Sequence, residues 1–317
     1  MATTMPSQTD NRSSRNPVQD LIMRFNWQGA ILWFFIFLIV AAVMIPFWWV
    51  IRTALTDPDK VFTNSSSLLP VEPTTFNLER VLGLVDTSEL VGEQGSANIS
   101  AGTLNILVFL RNSFIVSTTI ALGQTIFSAM AAYAFARLNF PLRDKIFFIY
   151  LTGLMIPGIV LFIPNFVFVR ELGWIGTYQG IVAPFFLMTP FAVFFMRQFF
   201  LSLNKELVES ARLDGASHLG IFWRIALPLV QGPLLTLGIL TFISSWNEYL
   251  WPLLVGRDES VRVLTVALAI FRQQTPQGAP DWTGLMAGTL IAIVPTVVVF
   301  VFFGRKVVDS IQFSGFK

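Results

Sequence analysis

The sequence ILWFFIFLIVAAVMIPFWWVI, residues 31–51, is 21 residues long and contains no charged side chain. A helix rises about 1.5 Å per residue, so about 20 apolar residues cross the roughly 30 Å hydrocarbon core of a bilayer. Five later stretches have the same character: 112–135, 146–169, 180–196, 232–252 and 284–303. The pattern predicts an all-α polytopic membrane protein with six transmembrane helices.

The composition supports a lipid environment. Of the 317 residues, 54% are hydrophobic and only 13% are charged, whereas soluble domains average about 25% charged residues. The net charge is +2 and the basic residues are scattered between apolar runs, so we expect no nucleic-acid partner. The chain has no cysteine and only one histidine, His218. Disulfides and thiolate metal ligands are therefore excluded, and we expect no metal site.

Hydropathy predicts how the chain is divided. The predicted segments are a disordered cytoplasmic tail (1–28), the first span (29–51), an outer loop (52–111), a core of five spans (112–304) containing the cytoplasmic loop 203–231, and a C-terminal tail (305–317). Residues 84–102 are predicted to form a flexible insertion, and a short helix is expected over Asn77–Leu82 with Asn77 as its cap. The apolar run Val263–Phe271 is too short to span, so we expect a half-helix there.

The distribution of basic residues predicts the orientation of the chain. With six spans and the N-terminus inside, thirteen of the 21 lysines and arginines fall on inner segments and the other eight on outer ones. Inner loops of membrane proteins carry the excess of lysine and arginine. Both termini are therefore predicted to be cytoplasmic.

The longest informative inner loop is NKELVESARLDGASHLGIFWRIALPLV, residues 204–230. Asn204 and Ser217 are good N-caps for two short helices, and Gly215 is the natural place for a sharp turn between them. Pro228 is expected to end the second helix because it has no backbone N–H.

An apolar stripe follows on the second of these helices. Leu219, Phe222, Trp223 and Ala226 recur at the spacing of one helix face. Physical reasoning leaves two interpretations open. The stripe lies on headgroups or on the protein's own helices, or it enters a groove on a partner protein.

The same loop resembles that of binding-protein-dependent ABC-importer permeases. The family pattern is Glu-Ala-Ala, three residues, Gly, nine residues, Ile, one residue, Leu-Pro. This chain has Glu209-Ser210-Ala211, Gly215 and Ile225-Ala226-Leu227-Pro228 at that spacing, with Ser210 as the one departure. RNSFIVSTT (111–119), AAYAFARLNFP (131–141) and SWNEYLWPLLV (245–255) are similar to the carbohydrate branch and its G-type subunits.

The resemblance implies a type I ABC importer permease fold in a bacterial or archaeal inner membrane. The implied partners are a second, F-type permease subunit, two ATPase subunits and an extracytoplasmic solute-binding protein. The chain lacks the phosphate-binding GxxxxGK[ST] motif, so ATP and Mg are expected in the partner ATPase, with no cofactor and no catalytic residue in this chain. The resemblance assigns ATPase docking to Glu209, Ser210, Ala211, Asp214, Gly215, Leu219, Phe222 and Trp223, and a contact of the C-terminal tail with the ATPase to Ser314 and Gly315.

Candidates for the solute pathway lie at the outer end of the fifth span. Asn247, Glu248 and Tyr249 are polar residues framed by tryptophans, and ionisable residues within a membrane are functional candidates. The alternative is that Glu248 lies at the interface and pairs with Arg257. A sugar is the expected cargo, and a polyol, an osmolyte or a sugar phosphate is the alternative. A membrane-embedded enzyme is disfavoured because no cluster of catalytic residues accompanies Glu248.

Overall fold

The computed structural model describes residues 27–63, 66–85, 106–272 and 280–312, and every regular element in these ranges is helical. The prediction of an all-α protein is confirmed. The helices are α1 (Trp27–Ala54), α2 (Phe76–Val81), α3 (Ile106–Arg137), α4 (Arg143–Thr152), α5 (Phe162–Glu171), α6 (Tyr178–Phe186), α7 (Pro190–Ser202), α8 (Lys205–Leu213), α9 (His218–Leu229), α10 (Gln231–Trp246), α11 (Leu250–Val255), α12 (Leu264–Phe271) and α13 (Trp282–Gln312).

Three of the described helices are long and apolar enough to cross a membrane: α1, α3 and α13. Three further pairs, α4 with α5, α6 with α7 and α9 with α10, meet the same test together but are bent by 94°, 44° and 83°. Length and composition therefore allow up to six spans. The predicted number, six, is reached when each bent pair counts as one span.

The third predicted span, 146–169, is broken at a proline. The helical segments Arg143–Met155 and Gly158–Glu171 meet at 94°, and the break contains Pro157. Pro157 cannot donate a backbone hydrogen bond, so the helix ends before it. Pro164 lies in the first turn of α5, where the missing N–H costs little.

The fifth predicted span, 232–252, is not one continuous helix. Helix α10 ends at Trp246, and α11 begins at Leu250. Pro252 has no N–H to donate to the Glu248 carbonyl, and that carbonyl instead accepts a 2.8 Å hydrogen bond from Thr265 Oγ1. The prediction of one unbroken helix over 232–252 was wrong, because it did not take into account the missing N–H of Pro252.

The short helix predicted over Asn77–Leu82 exists, but its predicted cap is wrong. Helix α2 follows Thr75 at the N-cap position. Asn77 is fully buried, and its side-chain amide donates to the carbonyls of Ala54 at 2.9 Å and Thr56 at 2.7 Å. Its amide is used to satisfy the carbonyls at the end of α1, a long-range contact that the local sequence does not reveal.

The chain forms two compact units, Met1–Trp49 and Val50–Lys317, and the second contains the candidate sites. Its core is organised around α3, which packs against α6, α7 and α10. The prediction of a short helix over Val263–Phe271 is confirmed by α12, whose buried face packs against α3 and α13.

Candidate docking loop and solute cavity

The loop over residues 203–231 folds as two capped helices around a glycine. Asn204 Oδ1 accepts from the Glu206 N–H at 3.0 Å, and Ser217 Oγ accepts from the Gly220 N–H at 3.1 Å. Gly215 has φ +83°, a left-handed conformation that glycine adopts without steric cost. Both predicted caps and the predicted turn are confirmed.

Pro228 does not end the second helix, so that prediction was wrong. Residues Phe222–Ala226 form a π turn in which the Leu227 N–H donates to the Phe222 carbonyl, and helix α9 continues to Leu229. A proline ring clashes with the carbonyl four residues earlier in a regular α-helix. The wider π turn immediately before Pro228 changes that geometry, and helix termination moves to Val230.

The apolar stripe of α9 is divided between two environments. Phe222 is 2% exposed, and its ring centroid lies 5.4 Å from that of Tyr133 and 6.3 Å from that of Phe200. Ala226 is also buried. Leu219 and Trp223 are 58% and 44% exposed. The expectation that Phe222 shares an exposed docking face with Leu219 and Trp223 is therefore wrong, because Phe222 packs on the protein's own helices.

Helix α8 has one buried and one exposed face. Val208 and Ala211 pack into the core. The predicted docking residues Glu209, Ser210, Asp214 and Gly215 are exposed, whereas Ala211, also predicted to dock, is not.

Sequence reasoning missed one residue on the exposed face of α8. Leu213, at the end of α8, is 90% exposed. The sequence indicates its exposure only through its position, because Leu213 does not lie on the helix face that carries the buried residues Val208 and Ala211. A leucine this exposed has little of its apolar area removed from water by the rest of this chain.

The two helices of the loop are held together across the glycine turn. Arg212 Nη2 lies 2.8 Å from His218 Nε2. A guanidinium can only donate, so His218 accepts through Nε2 in this arrangement.

The loop is also tied to the membrane helices that precede it. Arg137, the last residue of α3, donates through Nε to the Phe200 carbonyl at 2.8 Å and through Nη2 to the Leu203 carbonyl. Arg197 lies 4.2 Å from the centroid of the Phe147 ring. The two Arg137 hydrogen bonds satisfy carbonyls at the end of α7, immediately before the Asn204 cap. Sequence reasoning used these arginines only for orientation.

A cavity of about 360 Å³ lies between α3, α6, α7, α10 and α11. Its lining is mostly apolar, and its polar members are Gln124, Thr241, Ser244, Ser245 and Glu248. Of the three residues predicted for the solute pathway, only Glu248 lines this cavity. Asn247 is exposed and donates to the Ile243 carbonyl at 2.8 Å, while Tyr249 packs against an apolar cluster.

The alternative that Glu248 pairs with Arg257 was wrong. Glu248 Oε1 accepts from the N–H groups of Leu250 at 3.0 Å and Trp251 at 3.3 Å, and it caps α11. Arg257 Nε donates to the Leu254 carbonyl.

Two further expectations concern the C-terminal tail and metal sites. Ser314 and Gly315 lie outside the described residues. Within the described ranges, no group of three or more His, Asp or Glu side chains could hold a metal ion.

The chain is similar to known transport proteins over most of its length. Residues 102–311 match the family described as the binding-protein-dependent transport system inner membrane component. The chain is 38% identical over 206 residues to the arabinooligosaccharides transport system permease protein AraQ of Halalkalibacterium halodurans, covering 65% of this chain and 72% of that protein. It is 31% identical over 292 residues to the sn-glycerol-3-phosphate transport system permease protein UgpE of Yersinia pestis, covering 90% of this chain and 98% of that protein.

A solved structure shares the fold. A chain of a bacterial ABC transporter involved in the import of the acidic polysaccharide alginate superposes with a TM-score of 0.72, covering 92% of this chain and 99% of that one at 21% identity. The resemblance deduced from residues 209–228 is confirmed, and the chain is a transporter permease rather than an enzyme. The chain belongs to the family of inner membrane components of binding-protein-dependent transport systems.

Proposed function

We propose that this chain is a membrane-spanning subunit of an ATP-driven sugar importer, and that its loop 203–231 docks on a partner ATPase. The observation that carries the proposal is a set of exposed side chains on the two helices of the loop, Glu209, Leu213, Leu219 and Trp223, which together are called the docking surface. All four side chains are exposed, and three of them are large and apolar.

The docking surface combines apolar area with one carboxylate. Leu213, Leu219 and Trp223 supply side chains that gain free energy when a partner removes them from water. Glu209 supplies an acceptor for a basic residue of the partner, and a bidentate arginine would bind it best. None of the ion pairs within the described ranges involves Glu209.

The buried half of the loop couples the docking surface to the membrane helices, so that the two move together. Phe222 and Val208 pack into the same core cluster as Tyr133 and Phe200, and Arg137 bonds the end of α7 to α3. A displacement imposed on the docking surface is therefore transmitted to α3 and α7. In this proposal, closure of two ATPase subunits moves these helices between inward-facing and outward-facing states.

The remaining assignments follow from the family. The proposed assembly contains a second permease subunit, two ATPase subunits that bind ATP and Mg, and an extracytoplasmic solute-binding protein. This chain itself binds no cofactor. The excess of lysine and arginine on the inner segments supports cytoplasmic termini, and Ser314 and Gly315 would then reach the ATPase side.

The cargo class is proposed from the relatives. The relative at 38% identity is named for arabinooligosaccharides, and a sugar is therefore the first candidate. The relative that covers 90% of this chain is named for sn-glycerol-3-phosphate, so a phosphorylated polyol is the second candidate.

The proposal is tested by combining Glu209→Ala with Gly215→Pro and measuring solute uptake and ATPase co-purification. Proline fixes φ near −65° where the structure has +83°, and it removes the N–H that donates to the Arg212 carbonyl at 3.0 Å. We expect at least about a ten-fold loss of uptake and of bound ATPase, which corresponds to ~1.4 kcal/mol, with normal insertion.

A matched glycine control is Gly232→Ala. A Cβ at Gly232 meets nothing within 4 Å, so this variant should transport normally. Normal uptake by the Glu209→Ala, Gly215→Pro variant would refute docking through this loop.

A further inference from the structure

We propose that the cavity between α3, α6, α7, α10 and α11 is a solute site, and that the Glu248 carboxylate makes it selective for uncharged polyhydroxylated solutes. The inference rests on the proposed function, because it concerns the cargo of the same transporter. It assigns to Glu248 the exclusion of phosphorylated and carboxylated solutes.

The cavity has the size of a small-ligand site. Its volume of about 360 Å³ lies in the range of about 300–1,000 Å³ that is usual for such sites. A monosaccharide, or one unit of a longer sugar, fits that space. The lining is mainly apolar and includes Phe185 and Phe191, as expected for a site that removes most of a ligand's surface from water.

The polar groups of the cavity suit hydroxyl groups. Thr241, Ser244 and Ser245 each carry a hydroxyl that both donates and accepts. The side-chain amide of Gln124 donates to Thr189 Oγ1 at 3.2 Å, which holds its carbonyl oxygen in a defined orientation. A polyol presents the same mixture of donors and acceptors.

The charge of the cavity points to an uncharged ligand. Glu248 is the one ionisable residue among the described lining residues, which include no lysine or arginine. One of its oxygens, Oε1, caps α11, and the described residues provide no ion pair for the carboxylate. An anionic solute would approach this negative charge inside the cavity, where like charges repel.

Two of the proteins that this chain resembles are named for charged solutes. One relative is named for sn-glycerol-3-phosphate and one structural neighbour for the acidic polysaccharide alginate, and both of those solutes are anions. Family membership therefore leaves the charge of the solute open. The Glu248 carboxylate, for which the described part of the chain offers no basic partner, favours the uncharged class for this chain.

The test measures binding to the intact transporter, purified through a tag on this chain together with its co-purifying subunits and freed of solute-binding protein. Equilibrium dialysis uses matched labelled pairs: glucose with glucuronate, galactose with galacturonate, cellobiose with cellobiouronate, and glycerol with glycerol 3-phosphate. We expect at least one uncharged member to bind ten-fold or more tightly than its anionic partner. Glu248→Gln should reduce that ratio to within three-fold, because its amide oxygen still caps α11 while the charge is gone.

Two further variants separate the charge from folding. Glu248→Asp keeps the charge and should keep the preference, whereas Glu259→Gln removes a carboxylate from an exposed outer position and should change nothing. An unchanged ratio in a folded Glu248→Gln complex would overturn the proposal, and so would a wild-type preference for the anions or no binding of any probe. Co-purification of the ATPase is scored separately, so a failure of docking is distinguished from a failure of solute selection.

Discussion

Replacing each of two adjacent aromatic residues should separate folding from docking. Phe222 is 2% exposed and contacts Tyr133 and Phe200, whereas Trp223 is 44% exposed. Truncation of a buried phenylalanine to alanine costs about 3–5 kcal/mol, from lost burial and the cavity left behind. We expect Phe222→Ala to lower the free energy of unfolding by that amount. Trp223→Ala should lower it by less than about 1 kcal/mol, because much of the ring already faces solvent.

The assay is equilibrium unfolding in mixed detergent micelles, followed by circular dichroism of the helices so that loss of a tryptophan does not alter the signal. Co-purification of the ATPase is measured in parallel. The Trp223→Ala variant should remain folded, and its affinity for the ATPase should fall at least about ten-fold. That fall corresponds to ~1.4 kcal/mol of binding free energy. The reasoning is refuted if Phe222→Ala unfolds like the wild type, if Trp223→Ala is the less stable of the two variants, or if a folded Trp223→Ala retains the ATPase as the wild type does.

Variants at two further places probe packing away from the loop. In Gly180→Ala the new Cβ would lie 2.3 Å from the Trp174 carbonyl oxygen, so the backbone must shift and the midpoint of heat-induced aggregation, read by size-exclusion chromatography, should fall; an unchanged midpoint would contradict this. Arg80 and Asp281 form a buried ion pair at 2.6 Å, so Arg80→Met should cost about 3–5 kcal/mol of unfolding free energy by leaving a buried charge uncompensated. Arg80→Met with Asp281→Asn should recover most of that loss, because the neutral amide oxygen still accepts from the Gly284 N–H, and a double variant no more stable than Arg80→Met would contradict the pairing.

The parts of the loop that could be predicted are those set by local chemistry. Asn204 and Ser217 cap their helices through N–H groups two and three residues away, and Gly215 supplies a conformation that other residues resist. These contacts depend only on neighbouring residues. Asn77 shows the limit of such reasoning, because its amide is used by carbonyls 21 and 23 residues earlier in the chain.

The burial of Phe222 could not be read from helical periodicity. The stripe Leu219, Phe222, Trp223 and Ala226 assumes a regular α-helix, but the π turn over Phe222–Ala226 changes the register within the stripe. The orientation of each residue then depends on the core it meets, which is formed by α3 and α7. Likewise, the sequence placed Asn247, Glu248 and Tyr249 together, and only the break between α10 and α11 separates Glu248 from its neighbours.

The most direct test of docking uses the absence of cysteine from the chain. Leu213→Cys places a single thiol on the docking surface, at a side chain that is 90% exposed. Ser260→Cys places one at an exposed position on the predicted outer side. After treatment of the intact complex with a short thiol-to-amine cross-linker, mass spectrometry identifies the partner. We expect Leu213→Cys, and not Ser260→Cys, to yield an adduct with a subunit carrying a GxxxxGK[ST] motif. A reactive thiol in Leu213→Cys that forms no such adduct in an intact complex would contradict the account.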